Sequence, residues 1–249
     1  MSAALDLQRV IEVGAGLRDG VIETEMDRGE IVRRVMDRGQ LVLLKHAFPD
    51  EMLTAARTAV AAWGREVPAA ETDDFRGNYH RRRAMVARQQ QAPHVFHDYN
   101  FNDLSAAPPE LEATLRGLFE PLRLLYNDLT GNGVRFEIPE AGPYVHPQLI
   151  HYPSGGGFFA RHWHNLTPQK LGFIVSLSKR GRDFRNGGTC FEIDGDVVDM
   201  EARQEIGDIC IWRYDHQHWV TQSDLRDKFD WDSDAGRWVA TFAYFDPRG

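Results

Sequence analysis

The sequence predicts a mainly β domain, a sandwich or barrel, buttressed by helices in an α+β arrangement. Residues 134–246 hold eight short runs of β-branched and aromatic residues separated by Gly, Pro, Asp and Asn. The first half instead carries apolar residues at helical spacing. No linker separates the halves, so residues 1–133 are expected to form mainly helical support, with one or more strands, for a β core at 134–246 in a single domain spanning 1–249.

Along the chain, "MDRGEIVRRVMDRG" places Ile31, Val32, Val35 and Met36 at helical spacing and stops at Gly39. A short apolar strand, "QLVLLKHAF", follows. "PDEMLTAARTAVAAWGREV" then opens with Pro49 and acids in its first turn, as a helix start does. A second long helix fits "PELEATLRGLFEPLRLLYNDLTGNG", where Pro121 is expected to start, kink or divide it. Residues 68–108 are polar, with Arg81 to Arg83, Arg88, three glutamines, His80, His94 and His97, and read as a long solvated connection or a lid over a site. The β runs are "VRFEI", "QLIHY", "GFFARHW", "LGFIVSLS", "GTCFEI", "DICIW", "HWVTQ" and "RWVATFAYF".

With 29 basic against 37 acidic residues the formal charge is −8, which argues against general attraction to nucleic acid or anionic membrane. No apolar run reaches the roughly 18 residues a membrane span needs, and the start lacks a basic stretch followed by an apolar one, so a cytoplasmic protein is expected. Cys190 and Cys210, the only cysteines, sit in apolar contexts and are expected to be buried thiols.

Side chains alternate along a strand, so His162 and His164 in "FARHWHN" share a face and can reach one ion. A third ligand is expected from "GDICIWRYDHQHWV". His218, at the start of an apolar run, is preferred there over His216 in the polar turn. Imidazole ligands suit a redox-active iron as well as zinc.

Four segments in order resemble the iron(II)- and 2-oxoglutarate-dependent dioxygenases, in particular their prolyl hydroxylase-like branch. "HYPSGGGFFARHWHN" is similar to that branch's tyrosine-proline, glycine-rich turn and His-x-Asp sequence, and "NGGTCFEI" to its Gly-Gly and strand. "EIGDICIWRYDHQHWV" is similar to the segment carrying the distal histidine, and "GRWVATFAYFD" to the final arginine-bearing strand. Together they cover about two fifths of the chain, residues 147–246. The resemblance implies a double-stranded β-helix, a distorted, cupin-like jelly roll with helices outside. It makes His162 and His218 iron ligands, Arg237 the partner of the distal carboxylate of 2-oxoglutarate, and Tyr152 a hydrogen-bond donor to that cosubstrate. A guanidinium offers a planar fork that matches a carboxylate, and an arginine left unpaired inside a barrel would be costly. Thr241 shares a strand face with Arg237 and is expected to add a hydroxyl near the cosubstrate.

The departure is His164, which stands where the family has an acid. Neutral imidazole in place of carboxylate leaves the site one unit more positive. Three readings stay open: His164 ligates in a three-histidine site, it swings away and leaves a vacancy, or the site has lost catalysis and the barrel only binds. The first leads to an oxygenase using Fe(II), 2-oxoglutarate and O2 on a small-molecule or amino acid-type substrate, with hydroxylation as the default outcome and desaturation or cyclisation possible at the same site. Its alternatives are a three-histidine dioxygenase without 2-oxoglutarate and a non-catalytic metal- or ligand-binding jelly roll. A histidine is too large for halide to take its place, so halogenation is not expected. No oligomeric state follows from the sequence.

Overall fold

The computed structural model describes residues 9–71, 77–85, 92–139 and 142–246. In order, these form β1 (Val10–Arg18), β2 (Val21–Thr24), α1 (Arg28–Val32), β3 (Leu41–Lys45), α2 (Asp50–Glu66), β4 (Asn78–Met85), β5 (His94–Phe101), α3 (Pro109–Thr130) and β6 (Tyr144–Pro153). There follow β7 (Gly157–His162), β8 (Leu171–Ser176), β9 (Gly188–Ile193), β10 (Asp196–Asp199), β11 (Ile209–Arg213), β12 (His218–Ser223) and β13 (Gly236–Phe245).

One hydrogen-bonded path runs β10-β9-β12-β7-β5-β6-β13-β8-β11-β3-β1-β2, with β4 on the outside of β5. Its two arms face each other. Tyr152 on β6, Phe96 on β5 and Val239 on β13 pack against Val220 on β12 across the interior, in a small cluster separate from the main core. The main core lies on the other side, where the sheet meets the helices. There α2 buries Leu53, Ala56, Val60 and Ala61, and α3 buries Leu111, Leu115, Leu118, Leu122, Leu125 and Leu129. These are the stripes that a period of 3.6 residues puts on one side of a helix.

Three expectations need revision. Pro121 neither starts nor divides α3, which continues past it to Gly131 in the left-handed conformation and buries leucines on both sides of the proline. Residues 68–108 are not merely a connection: β4 and β5 pair antiparallel from Asn78↔Phe101 to Met85↔His94 and form a wall of the domain. The polar residues that hid β5 alternate, with His94, Phe96, Asp98 and Asn100 on one face and His97, Tyr99 and Phe101 on the other. Arg88 and the three glutamines lie outside the described residues. "VRFEI" makes only an isolated bridge, Arg135 with Tyr144, while β1, β2 and β10 escaped notice because they are short or irregular in pattern. The cysteines are buried free thiols, as expected.

The helix-facing side of β4 and β5 buries a directed hydrogen-bond chain. The Val67 carbonyl can only accept, so His80 Nε2 donates to it at 2.6 Å. Burial lowers both histidines below the ordinary imidazole range and keeps the rings neutral, so His80 Nδ1 accepts from His97 Nε2 at 2.6 Å and His97 Nδ1 from the Tyr99 hydroxyl at 3.1 Å. Burial, with the neighbouring imidazoles of His80 and His151 and the Arg82 guanidinium adding to it, pushes His97 down to about 2. Burial likewise pushes His151, stacked on Trp238 at 4.2 Å, down to about 4. A histidine with a lowered folded pKa contributes stability above its unfolded value of about 6.5 that is lost as pH falls below it, since only the unfolded chain then takes up the proton. Between pH 6.5 and 5 each of the two is worth up to about 2 kcal/mol. Urea unfolding of the metal-free protein is expected to show a falling midpoint from pH 7 to 5, with a shallower fall in His97→Gln; a midpoint independent of pH would refute the assignment.

Candidate metal centre

Strand pairing brings two histidines together. β12 runs antiparallel to β7 with His218 opposite His162, and the pairing continues through two irregularities in register to Ser223 opposite Gly157. His164 lies two residues past the end of β7, outside the strand, yet its ring comes back to the others and stacks on Tyr214 at 4.3 Å and 8°. The three ring centroids are 4.3, 5.0 and 5.2 Å apart, and one ring nitrogen from each histidine lies within 4.8 Å of the other two.

Second partners orient the rings. His162 Nδ1 donates to the Ala160 carbonyl at 2.8 Å and His218 Nδ1 to the His216 carbonyl at 2.9 Å, which leaves each Nε2 with its lone pair free. Burial holds all three rings below the ordinary imidazole range, His164 down to about 4 and His218 well below it, with the neighbouring imidazoles adding to the effect. They are thus neutral bases at pH 7, the form that binds metal. Ligands about 2.1 Å from one ion sit at most about 4.2 Å apart, so small ring rotations suffice for a shared ion. The donor set fits a divalent transition metal. His216 does not join it, because its Nε2 is bonded to the Gly39 carbonyl.

The histidines stand at one end of a cavity of about 160 Å³ between the two arms, walled by Ile150, Tyr152, Phe173, Thr189, Trp212 and Val239 among others. Trp212 forms a flat wall because Gly172 lies under it; a Cβ there would come 2.2 Å from the indole. Thr241 also lines the cavity, but its hydroxyl donates to the Phe173 carbonyl at 2.7 Å. Tyr152 is buried, and Arg237 sits 5.6 Å from the centre of its ring.

Arg237, expected from the resemblance to partner the distal carboxylate of 2-oxoglutarate, already has a carboxylate of the chain beside it. It is 1 % exposed, its Nε donates to Glu201 Oε2 at 2.7 Å, and Nη2 donates to the Thr189 hydroxyl at 2.5 Å. The same Glu201 oxygen accepts the Thr189 amide at 3.1 Å. Nη1 is buried without a hydrogen-bond partner, a donor left unsatisfied beside Tyr152 and Thr189, which line the cavity. A 2-oxo acid with a distal carboxylate fits that orphan donor. Arg161, beside the motif, is taken up by Glu192 at 2.5 Å and by the Trp219 ring.

Sequence reasoning missed Glu201, Thr189, Tyr214 and His94. The signal for Glu201 was "NGGT": Gly188 has φ +135°, and a Cβ there would lie 2.4 Å from Glu201 Cβ. The close approach of the acid demands a glycine.

Cobalt(II) titration followed by visible absorption tests the ligand set. His162→Ala and His218→Ala are each expected to weaken binding by roughly a hundredfold or more, and His164→Ala by at least about tenfold, since each removes a direct ligand. Wild-type affinity in His164→Ala would remove that residue from the set.

No protein-family model matches the sequence, and no curated protein matches it. Solved structures do match. A Pseudomonas putida prolyl-4-hydroxylase is 15 % identical, with a TM-score of 0.55 over 88 % of this chain and 98 % of its own. EctD from S. alaskensis, solved with bound Fe, is 14 % identical, with a TM-score of 0.53 over 94 % and 83 %. The non-heme alpha ketoglutarate dependent carbocyclase SnoK of nogalamycin biosynthesis is 15 % identical, with a TM-score of 0.53 over 89 % and 85 %. At such identities the likeness is one of fold, and the chain takes the double-stranded β-helix fold that it shares with these structures.

Proposed function

We propose that this chain is an iron(II)- and 2-oxoglutarate-dependent oxygenase of a small-molecule or amino acid-type substrate, with iron held by His162, His164 and His218. The observation that carries the reading is the convergence of three neutral imidazoles within 4.8 Å at the end of a cavity with the orphaned Arg237 Nη1 behind its inner wall. Iron with 2-oxoglutarate supplies oxidation of an unactivated C–H bond by O2, with succinate and carbon dioxide as co-products.

The protein's own residues position and enclose. Arg237 Nη1 and the Tyr152 hydroxyl hold the distal carboxylate, and Phe173, Trp212 and Val239 keep water from the chain between the two ends of the cosubstrate. Thr241 contributes a hydroxyl oxygen as an acceptor only, since its hydrogen is engaged by Phe173.

The substrate is placed in an adjoining cavity of about 320 Å³, which shares Gln148, Ile150, Phe159, His162 and His164 with the first. Phe96 and Trp163 wall it further, with Arg83 and His94 among its polar groups. His94 Nδ1 donates to the Ala92 carbonyl at 2.9 Å, and its buried Nε2 has no partner. Such a nitrogen accepts a hydrogen bond, so the substrate presents an O–H or N–H together with an apolar face.

One observation favours a second reading. Glu201 already pairs with Arg237, as expected if substrate alone chelates the metal in a three-histidine dioxygenase and no 2-oxoglutarate is used. Anaerobic addition of iron(II) and 2-oxoglutarate separates the two. The visible charge-transfer band of bidentate chelation is expected, with succinate released on admitting oxygen. Arg237→Ala should raise the 2-oxoglutarate concentration needed by about tenfold to a hundredfold, the worth of a charge-assisted hydrogen bond. Metal bound without the band would leave the second reading.

A further inference from the structure

A two-histidine, one-carboxylate site is electrically balanced when loaded: a doubly positive iron and an arginine offset one carboxylate ligand and a doubly negative cosubstrate. Three imidazoles lack that carboxylate, and one positive charge is left over. This chain carries another carboxylate in the same interior. Glu201 follows β10 in a short 3-10 turn, is 4 % exposed, and reaches through the space left by Gly188 to Arg237 and Thr189. Thr189 lies opposite Val220, two residues along β12 from His218, and both Thr189 and His218 line the same cavity.

We propose that Glu201 is the counter-charge of this centre: the negative charge absent from the ligand set is carried by Glu201 against Arg237. The proposal rests on the reading of the histidines as a metal site with a 2-oxo acid cosubstrate. Glu201 acts through Arg237 and is a positioning residue. Its oxygen fixes the guanidinium on the Nε side, which leaves the Nη1 side for the incoming carboxylate. Its charge has two opposed effects. It favours a cation at the histidines, and it disfavours a dianion beside Arg237, so it sets how tightly each is held.

Glu201→Gln tests this, because glutamine keeps an oxygen to accept from Arg237 and from the Thr189 amide while removing the charge. Cobalt(II) affinity without cosubstrate is expected to fall, and 2-oxoglutarate affinity of the cobalt-loaded protein, read by titration calorimetry, to rise. Each change should be roughly a hundredfold or more, the size of a unit charge acting on a doubly charged species on the order of 10 Å away at an effective dielectric of about 20. His164→Asp, which returns a carboxylate to the ligand set, should shift both affinities the opposite way. The double variant His164→Asp with Glu201→Gln should bring both back toward wild type. Loss of both affinities in Glu201→Gln, or no change in either, overturns the proposal, because a merely structural glutamate would not split their signs. If wild type binds cobalt but no 2-oxoglutarate, the cosubstrate reading fails, and the cobalt arm alone still decides whether Glu201 is the counter-charge.

Discussion

The candidate site depends on one strand pairing. β6 and β13 run antiparallel in unbroken register from Pro153↔Gly236 to Tyr144↔Phe245. That ladder sets Tyr152 opposite Arg237 at one end and Gln148 opposite Thr241 farther along, which makes it the floor of the cavity. Since side chains alternate with period two, a slip of one residue would turn Tyr152, Ile150 and Gln148 away from the interior and bring His151 into it. His151 is instead clamped outward, stacked on Trp238 and bonded to the Ala235 carbonyl at 3.0 Å. The register is therefore held from both faces of the sheet.

The second arm packs on the first through Phe191, Ile193, Val198 and Met200 against Val10, Leu41, Leu43, Cys210 and Trp212, and a few buried polar ties fix its position. Asp224, just after β12, accepts from the amides of Arg185 and Asn186 and from the Ser154 hydroxyl, which joins the turn before β7, the loop before β9 and the end of β12 at one carboxylate. Thr189, Glu201 and Arg237 form the second tie, between β9, the turn after β10 and β13. Buried polar groups of this kind are costly when one partner is removed. They also fix positions more sharply than apolar packing does, and a metal site needs donors held to fractions of an ångström.

Much of this was legible in the sequence, and the parts that were not share a cause. The helical stripes, seven of the eight β runs, and the preference for His218 over His216 rested on local periodicity and composition, which act over a few residues. β5 was hidden because its inward positions hold His94, Asp98 and Asn100, polar residues that are buried only because β4 and β6 bring partners to them. His164 was placed correctly beside His162 for a reason that does not hold: it lies beyond the strand, and stacking on Tyr214 rather than strand alternation turns it inward. Glu201 was missed because its partner is 36 residues away and nothing in "DMEAR" marks an acid that will be buried; its one trace, the glycine at 188, lies in another segment.

That last omission bears on how an altered ligand set can persist. Exchanging a carboxylate ligand for an imidazole changes the charge of a low-dielectric interior, where Coulomb interactions are strong and weakly screened. Such a change is tolerable when another charge in the same interior offsets it, and the offset need not touch the metal, because the interaction falls only as the inverse of distance. Arg237 is where an added carboxylate does least harm to the fold, since the ion pair satisfies a guanidinium that would otherwise be buried without a partner before any ligand arrives. The glycine at 188 then follows as a steric requirement of that pair. On this argument His164, Glu201 and Gly188 form one coupled set, and the identity of the third histidine is understood only together with a glutamate on another loop.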